Sequence, residues 1–226
     1  MELSVNRRFA CVNASYTLSR LYGNYCRLAS SDENGRTSPN VNRYFDEPWM
    51  VYDQRGKLVY GRLATDRPHT FKVFTIYDKK WFGGTTHFAP VVNWYSGTPI
   101  TTEVSIGNVP VYPNGRGDLG RTPRFFQTDF LLTHDVKVHG SEQRFFRFEV
   151  NANNLFNNSS ITNIYPSYTH ANDGSIQYDN TGDIFKGYSN YPALMKAQEI
   201  RVDPQYNKAS AYQSPRILRL GFHFFF

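Results

Sequence analysis

An all-β fold is what this sequence predicts, and three observations carry the prediction. Apolar and polar residues alternate with period two over several stretches, which gives a strand one apolar and one wet face. Aromatic residues make up 16% of the 226 residues, Tyr and Phe far outnumbering Trp, and strands favour such side chains. Helix signals are few.

The clearest alternation sets Phe146, Phe148, Val150 and Ala152 against Arg147, Glu149, Asn151 and Asn153. Just before it, Phe126, Phe130, Leu132, Val136 and Val138 alternate with Gln127, Asp129, Thr133, Asp135 and Lys137. The polar run His139–Gln143 between the two is suited to a hairpin link. At the end, Leu218, Leu220, Phe222, Phe224 and Phe226 face away from Arg219, Gly221 and His223. Near the start, Val12, Ala14, Tyr16 and Leu18 alternate with Asn13, Ser15, Thr17 and Ser19, and Leu3 and Val5 mark one strand more. Segments 69–77 and 86–95 alternate less cleanly, because Phe74, Ile76 and Val91 fall on the face expected to be polar. The sum is about seven strands by this pattern. One short helix is expected to open at Pro192 and run to Ala197.

The links between strands say more than the strands. Short ones near Arg7–Ala10, Asp78–Gly84 and His139–Gln143 alternate with long ones at about 22–68, 96–124 and 157–214. Unstructured loops beyond about 15 residues are uncommon in compact soluble domains. Outer-membrane barrels carry short turns on one rim and long loops on the other. If the last strand ends at the periplasm, every short link falls on that side and every long one outside. The expectation is an antiparallel meander of about seven strands forming part of a transmembrane β-barrel, with residues 1–226 as one unit. Gln127, Asp129, Arg147, Glu149 and Asn151 are then expected to face the lumen. Within the first long link, residues 51–60 read as a small hairpin turning at Gly56.

Bulk properties exclude other classes. Mean hydropathy is −0.55 and no apolar run suits a transmembrane helix, whereas barrel strands average out on such a scale. The net charge of +6 comes from 25 Lys and Arg scattered among 19 Asp and Glu, with no basic run beyond Arg7-Arg8 or Lys79-Lys80. No nucleic-acid partner is expected from so dispersed a charge. Met1–Asn6 lacks the basic and apolar regions of a signal peptide, so either the chain is soluble or its start has been lost. Cys11 follows a short link and Cys26 lies past the far end of the same strand. Extended chain of that length reaches roughly 50 Å at about 3.3 Å per residue, so two unbonded thiols on opposite rims are expected.

Chemical motifs are sparse. Gly115-Arg116-Gly117-Asp118-Leu119-Gly120 spells a dinucleotide fingerprint, but Arg121-Thr122-Pro123 and a strand follow where a helix is required. The six His, at 69, 87, 134, 139, 170 and 223, show no metal-ligand spacing, and no nucleophile elbow is present. No catalytic residue, cofactor or metal site is expected, and no enzyme activity.

The terminal run Arg219-Leu220-Gly221-Phe222-His223-Phe224-Phe225-Phe226 looks like the C-terminal signal by which bacterial barrels are recognised for assembly. Further pieces occur in a matching order along nearly the whole chain. They are Ala14–Arg20, Leu63–His69, Tyr95–Pro99, Gly115–Pro123 and Val150–Asn157. Together they resemble the barrel end of a TonB-dependent outer-membrane receptor, in the Oar-like subgroup with a carboxypeptidase-regulatory-like domain. In that family a signal peptide, a TonB box and a plug precede a barrel of about twenty-two strands. The resemblance implies an assembly signal at Arg219, Gly221, Phe224 and Phe226. It implies partners in outer-membrane lipid, the barrel-assembly machinery, and the missing N-terminal barrel and plug. It further implies location in the cell outer membrane and uptake of a nutrient ligand whose identity is unknown. Loop aromatics such as Tyr44, Trp49, Tyr52 and Tyr112 are plausible contributors to ligand capture. Two rivals stand beside it: a soluble extracellular carbohydrate-binding β-sandwich, and a small independent barrel acting as an adhesin.

Overall fold

A computed structural model describes residues 2–7, 10–24, 52–106, 109–138, 144–178, 183, 186 and 190–226. In chain order its strands are β1 (Glu2–Arg7), β2 (Ala10–Leu18), β3 (Tyr22–Gly23), β4 (Gly61–Arg62), β5 (His69–Trp81), β6 (Gly84–Tyr95) and β7 (Val104–Ile106). They continue with β8 (Val109–Val111), β9 (Phe125–Lys137), β10 (Phe145–Asn153), β11 (Ile161–Ile164), β12 (Ala209–Tyr212) and β13 (Ile217–Phe225). Among the described residues one α-helix of about two turns, α1 (Tyr191–Ala197), precedes β12.

Seven of the strands build one antiparallel sheet in the order β1-β2-β5-β6-β9-β10-β13. Each pairs with the main strand before it, so the sheet is a meander. The hairpin expected across His139–Gln143 is present, with Phe145 opposite Lys137 and Ala152 opposite Phe130. Residues 139–143 themselves lie outside the described residues, but the Val138 N–H donates to the Arg144 carbonyl at 2.9 Å and closes the pair. Among the described residues β1 and β13 are open edges.

One link is shorter than the sequence implied. The β5–β6 ladder continues to Trp81 opposite Gly84, so the turn is Phe82-Gly83 alone and not Asp78–Gly84. Both residues have positive φ, 46° and 72°, as a tight type I′ hairpin requires. Phe82 hid this turn, because a bulky residue is disfavoured in that region.

The register sorts the side chains onto two faces. Gln127, Asp129, Thr133, Asp135, Arg147, Glu149, Asn151, Arg219, Gly221 and His223 share one. Phe126, Phe130, Leu132, Phe146, Phe148, Val150, Leu218, Leu220, Phe222 and Phe224 share the other. Phe74, Ile76 and Val91, the apparent errors in the alternation, do lie on the polar face. They gather into one patch there: Phe74 pairs with Val91, Ile76 with Cys11, and Leu131 with Ala89.

The buried hydrophobic cluster belongs to the long links. Val104, Val111, Ile176, Tyr191, Met195 and Ile200 pack together at one end of the sheet's hairpins. Helix α1 supplies Tyr191 and Met195, and the Asn190 side chain caps it by accepting from the Ala193 N–H at 3.2 Å. The helix therefore starts at Tyr191, one residue before the expected Pro192. The small hairpin within 51–60 is present too, with Tyr52 bridged to Leu58 and Gly56 at φ 69°. Cys11 is half-buried and unbonded, while Cys26 lies outside the described residues.

Candidate functional site

The polar face carries a chain of paired charges. Arg147 forks onto Asp135, its Nε and Nη2 each donating at 2.7 Å to a carboxylate oxygen. His87 stands between two acids, 2.6 Å from Asp78 and 3.7 Å from Asp135. Glu149 lies 3.9 Å from His223. Gln127 donates to Asp129 at 2.8 Å, and Asp129 also accepts the Asn154 N–H at 2.8 Å, tying the strand pair to the link beyond it. Asn151 sits between Leu131 and Arg219. Gln127, Asp129, Arg147, Glu149 and Asn151 thus share one face of the sheet. The roles of Asp78 and His87 were not foreseen, although both fall on the polar parity of their strands.

The opposite face is largely apolar and, among the described residues, uncovered. Leu220 is 83% exposed, Phe222 60% and Phe148 51%. Toward the tight turn, Trp81 packs against Phe82 with ring centres 4.8 Å apart and planes tilted by 47°, and Lys79 sits 4.9 Å from the Trp81 ring. The Trp81 ring N–H donates to the Thr86 hydroxyl, which also meets His134 Nδ1 at 2.7 Å. In β13, Phe224 packs against Phe146 at a tilt with ring centres 4.7 Å apart, and Phe226 stacks on Phe224 at 5.9 Å. Gly221 stands where a Cβ would meet the Glu149 Cβ at 3.2 Å, and Arg219 faces Asn151.

Where the long links meet, Asp66 is the joint. Its side chain is fully shielded from solvent. It accepts from the Leu21 N–H at 2.8 Å, from Arg62 Nη1 at 3.0 Å and from Arg121 Nη2 at 2.6 Å. Arg121 Nη1 also donates to the Asp66 and Gly97 carbonyls. Burial pushes the Asp66 carboxyl up, but the donors from Leu21, Arg121 and Arg62 outweigh it and hold the group below its ordinary value.

Beside this joint lies a cleft of about 1030 Å³. Arg20, Arg62, Arg116 and Arg121 line it, together with His69, Ser96, Gly117 and Gly120. The glycine run here is a loop: Gly115, Gly117 and Gly120 have φ of 83°, 74° and 84°, and β9 follows without a helix. Asp118 accepts from the Thr102 N–H at 2.8 Å and from its hydroxyl at 2.5 Å, so the Arg116-Gly117-Asp118 carboxylate, though exposed, is already engaged within the loop. Of the aromatics expected to meet a ligand, Tyr112 is buried and Tyr52 half-buried, while Tyr44 and Trp49 lie outside the described residues.

Along 98% of its length the chain aligns with one curated protein. It is similar to a TonB-dependent transporter. The relative is the TonB-dependent transporter Oar of Myxococcus xanthus, 30% identical over 245 aligned positions. The chain spans 22% of the length of that relative. No family model matches the chain, and no solved structure matches it significantly.

Proposed function

We propose that this chain is a section of the wall, with its outer loops, of a TonB-dependent outer-membrane transporter that takes up a nutrient ligand. The observation that carries the reading is the pair of faces on one meander. A charged face with ordered ion pairs backs onto an exposed apolar face, and the long links gather at one end. In water such an apolar face is a liability; against lipid it is required, with polar side chains turned to the lumen. The open edges β1 and β13 need partners, because unpaired strand edges are not tolerated in hydrocarbon. Further strands, and the plug within them, complete the wall in this reading. The similarity to a transporter of more than four times this length supports it. The role is transport, with no catalytic step.

The sandwich alternative needs a second sheet over Phe148, Leu220 and Phe222, and none covers them among the described residues. The test is reconstitution. The chain refolded with lipid vesicles should resist extraction by carbonate and show strands tilted by roughly 35–45° in polarised infrared spectra. A monodisperse product in water without detergent, indifferent to vesicles, would support the sandwich and end the membrane reading.

A further inference from the structure

We infer that the apolar face holds the phosphate of a membrane phospholipid beside the Phe82-Gly83 turn, with Lys79 and His134 as its donors. This site rests on the reading of the sheet as a membrane wall and adds a ligand on its lipid side. A polar row stands where contact with hydrocarbon is expected. Lys79 pairs with Thr86, Thr86 with His134, and His134 with the exposed Phe148, so all four share the face of Leu220 and Phe222. Ionisable side chains are costly in hydrocarbon, and two in one row call for a polar partner. The row is shallow. Thr86 follows Gly83 by three positions, roughly 10 Å of strand at about 3.3 Å per residue, and less in depth because barrel strands tilt. The headgroup layer is roughly 5–7 Å thick on each side of the hydrocarbon, so the row comes to its inner boundary. Trp81, between the row and the turn, is the side chain that favours this level.

Both donors lean toward the turn. The Trp81 ring N–H can only donate, so the Thr86 hydroxyl accepts from it. The hydroxyl proton is then available to His134 Nδ1, 2.7 Å away, which leaves an N–H at Nε2 whether the ring is neutral or charged. A Cβ on Gly84 would stand 3.1 Å from His134 Cε1, the carbon bonded to Nε2. The bare backbone of Gly84, one residue past the turn, thus gives the imidazole its place. Lys79 holds its ammonium 4.9 Å from the Trp81 ring, two residues nearer the turn than its own backbone. Phosphate oxygens accept from both groups, and bonds to a charged acceptor are the strong ones. The next row inward is Tyr77, Phe88 and Leu132, which offers the acyl chains an apolar track. A free phosphate ion would leave that track unused, whereas a phospholipid fits both parts.

The experiment offers phosphatidylglycerol and the phosphate-free digalactosyldiacylglycerol to the full chain in non-ionic detergent micelles and counts bound lipid by native mass spectrometry. The expected result is that phosphatidylglycerol is retained about tenfold or more over the galactolipid. Lys79→Gln and His134→Gln should each weaken that retention by about tenfold, the change for one lost charge-assisted bond. Lys80→Gln, on the opposite face of the same strand, should not. As a measurement free of variants, phosphatidylglycerol should slow modification of His134 by diethyl pyrocarbonate. Excess inorganic phosphate should leave the lipid bound, and its displacement would overturn the lipid as the source of the phosphate. Equal retention of the two lipids, or both variants binding like the parent with no protection of His134, overturns the inference. A chain that inserts into vesicles yet retains both lipids alike overturns this inference alone. One that retains phosphatidylglycerol in micelles but stays out of vesicles overturns the membrane reading alone.

Discussion

The Asp66 carboxylate and the Arg121 guanidinium meet at 2.6 Å although 55 residues separate them in the chain. The contact fastens the first long link to the second, and Arg62 and the Leu21 N–H complete the set of donors around Asp66. Asp66→Asn keeps the shape but leaves two arginines without their charge partner. Breaking a fully buried pair costs about 3–5 kcal/mol. Because both guanidinium groups reach solvent, a cost of about 2 kcal/mol is expected here. It should register as faster protease cutting within 61–121, with the strand signal unchanged.

The same joint sets a pH dependence. The Asp66 carboxyl is held below its ordinary 3.8, so its contribution is complete above that pH and drains as pH falls below it. Asp173, whose carboxyl takes two bonds from the Arg201 side chain and one from its N–H, is likewise held well below the ordinary value. Protease resistance of the long links should therefore stay flat from neutral pH to about 4 and fall in stronger acid. A loss centred near pH 6 would point to histidines and not to these carboxylates.

On the apolar face, Leu220 pairs with Val150 in mid-strand. A lysine or arginine at mid-membrane depth on a barrel's lipid face costs about 2–4 kcal/mol. Leu220→Arg should therefore lower the yield of vesicle-inserted chain sharply. Gly221→Ser, on the polar side of the same strand, should insert far better. Equal yields from the two variants would contradict the assignment of faces.

How far the sequence revealed this fold depended on the range of the interactions. Period-two alternation is a local signal, and it located the seven sheet strands, their meander order and the polar set from Gln127 to Asn151. The loop core was illegible, because Val104, Ile176 and Met195 come from segments with no shared periodicity and short strands such as β7 and β8. The Asp66–Arg121 joint and the arginine cleft have no local signature either. Asp66 lies in the matching piece Leu63–His69 and Arg121 in Gly115–Pro123, but nothing in those runs says that they touch. Phe82 concealed its turn for the opposite reason: its own preference is against the conformation the hairpin imposes.

That conflict at Phe82 is itself testable. Its φ of 46° costs a non-glycine residue roughly 1–2 kcal/mol, yet the residue is 82% exposed and its ring packs, tilted, against Trp81. The gain from keeping an aromatic there is expected in the membrane interface, where amphipathic rings sit at headgroup level. Phe82→Asn should therefore tighten the turn while weakening partition into vesicles. In a chain whose only tryptophan is Trp81, made by Trp49→Phe and Trp94→Phe, lipids brominated near the headgroup should quench emission more than lipids brominated deep in the chains.

The last prediction concerns the place where the second long link leaves the sheet. A Cβ on Gly97 would stand 1.7 Å from the Thr122 carbonyl oxygen, which is backbone and cannot swing aside. The approach is held by the Thr98 N–H donating to the Thr122 hydroxyl and by the Thr122 N–H donating to the Thr98 carbonyl, each at 2.9 Å. Gly97 also presents its carbonyl to Arg121 at 2.7 Å. Adding one methyl group must therefore part the two strands of the link and pull Arg121 from Asp66. Overpacking of this kind typically costs about 1–3 kcal/mol. Gly97→Ala should thus reproduce the protease sensitivity of Asp66→Asn, and the double variant should be little worse than either alone, since both open the same joint. Fully additive losses would show that Gly97 and Asp66 act separately.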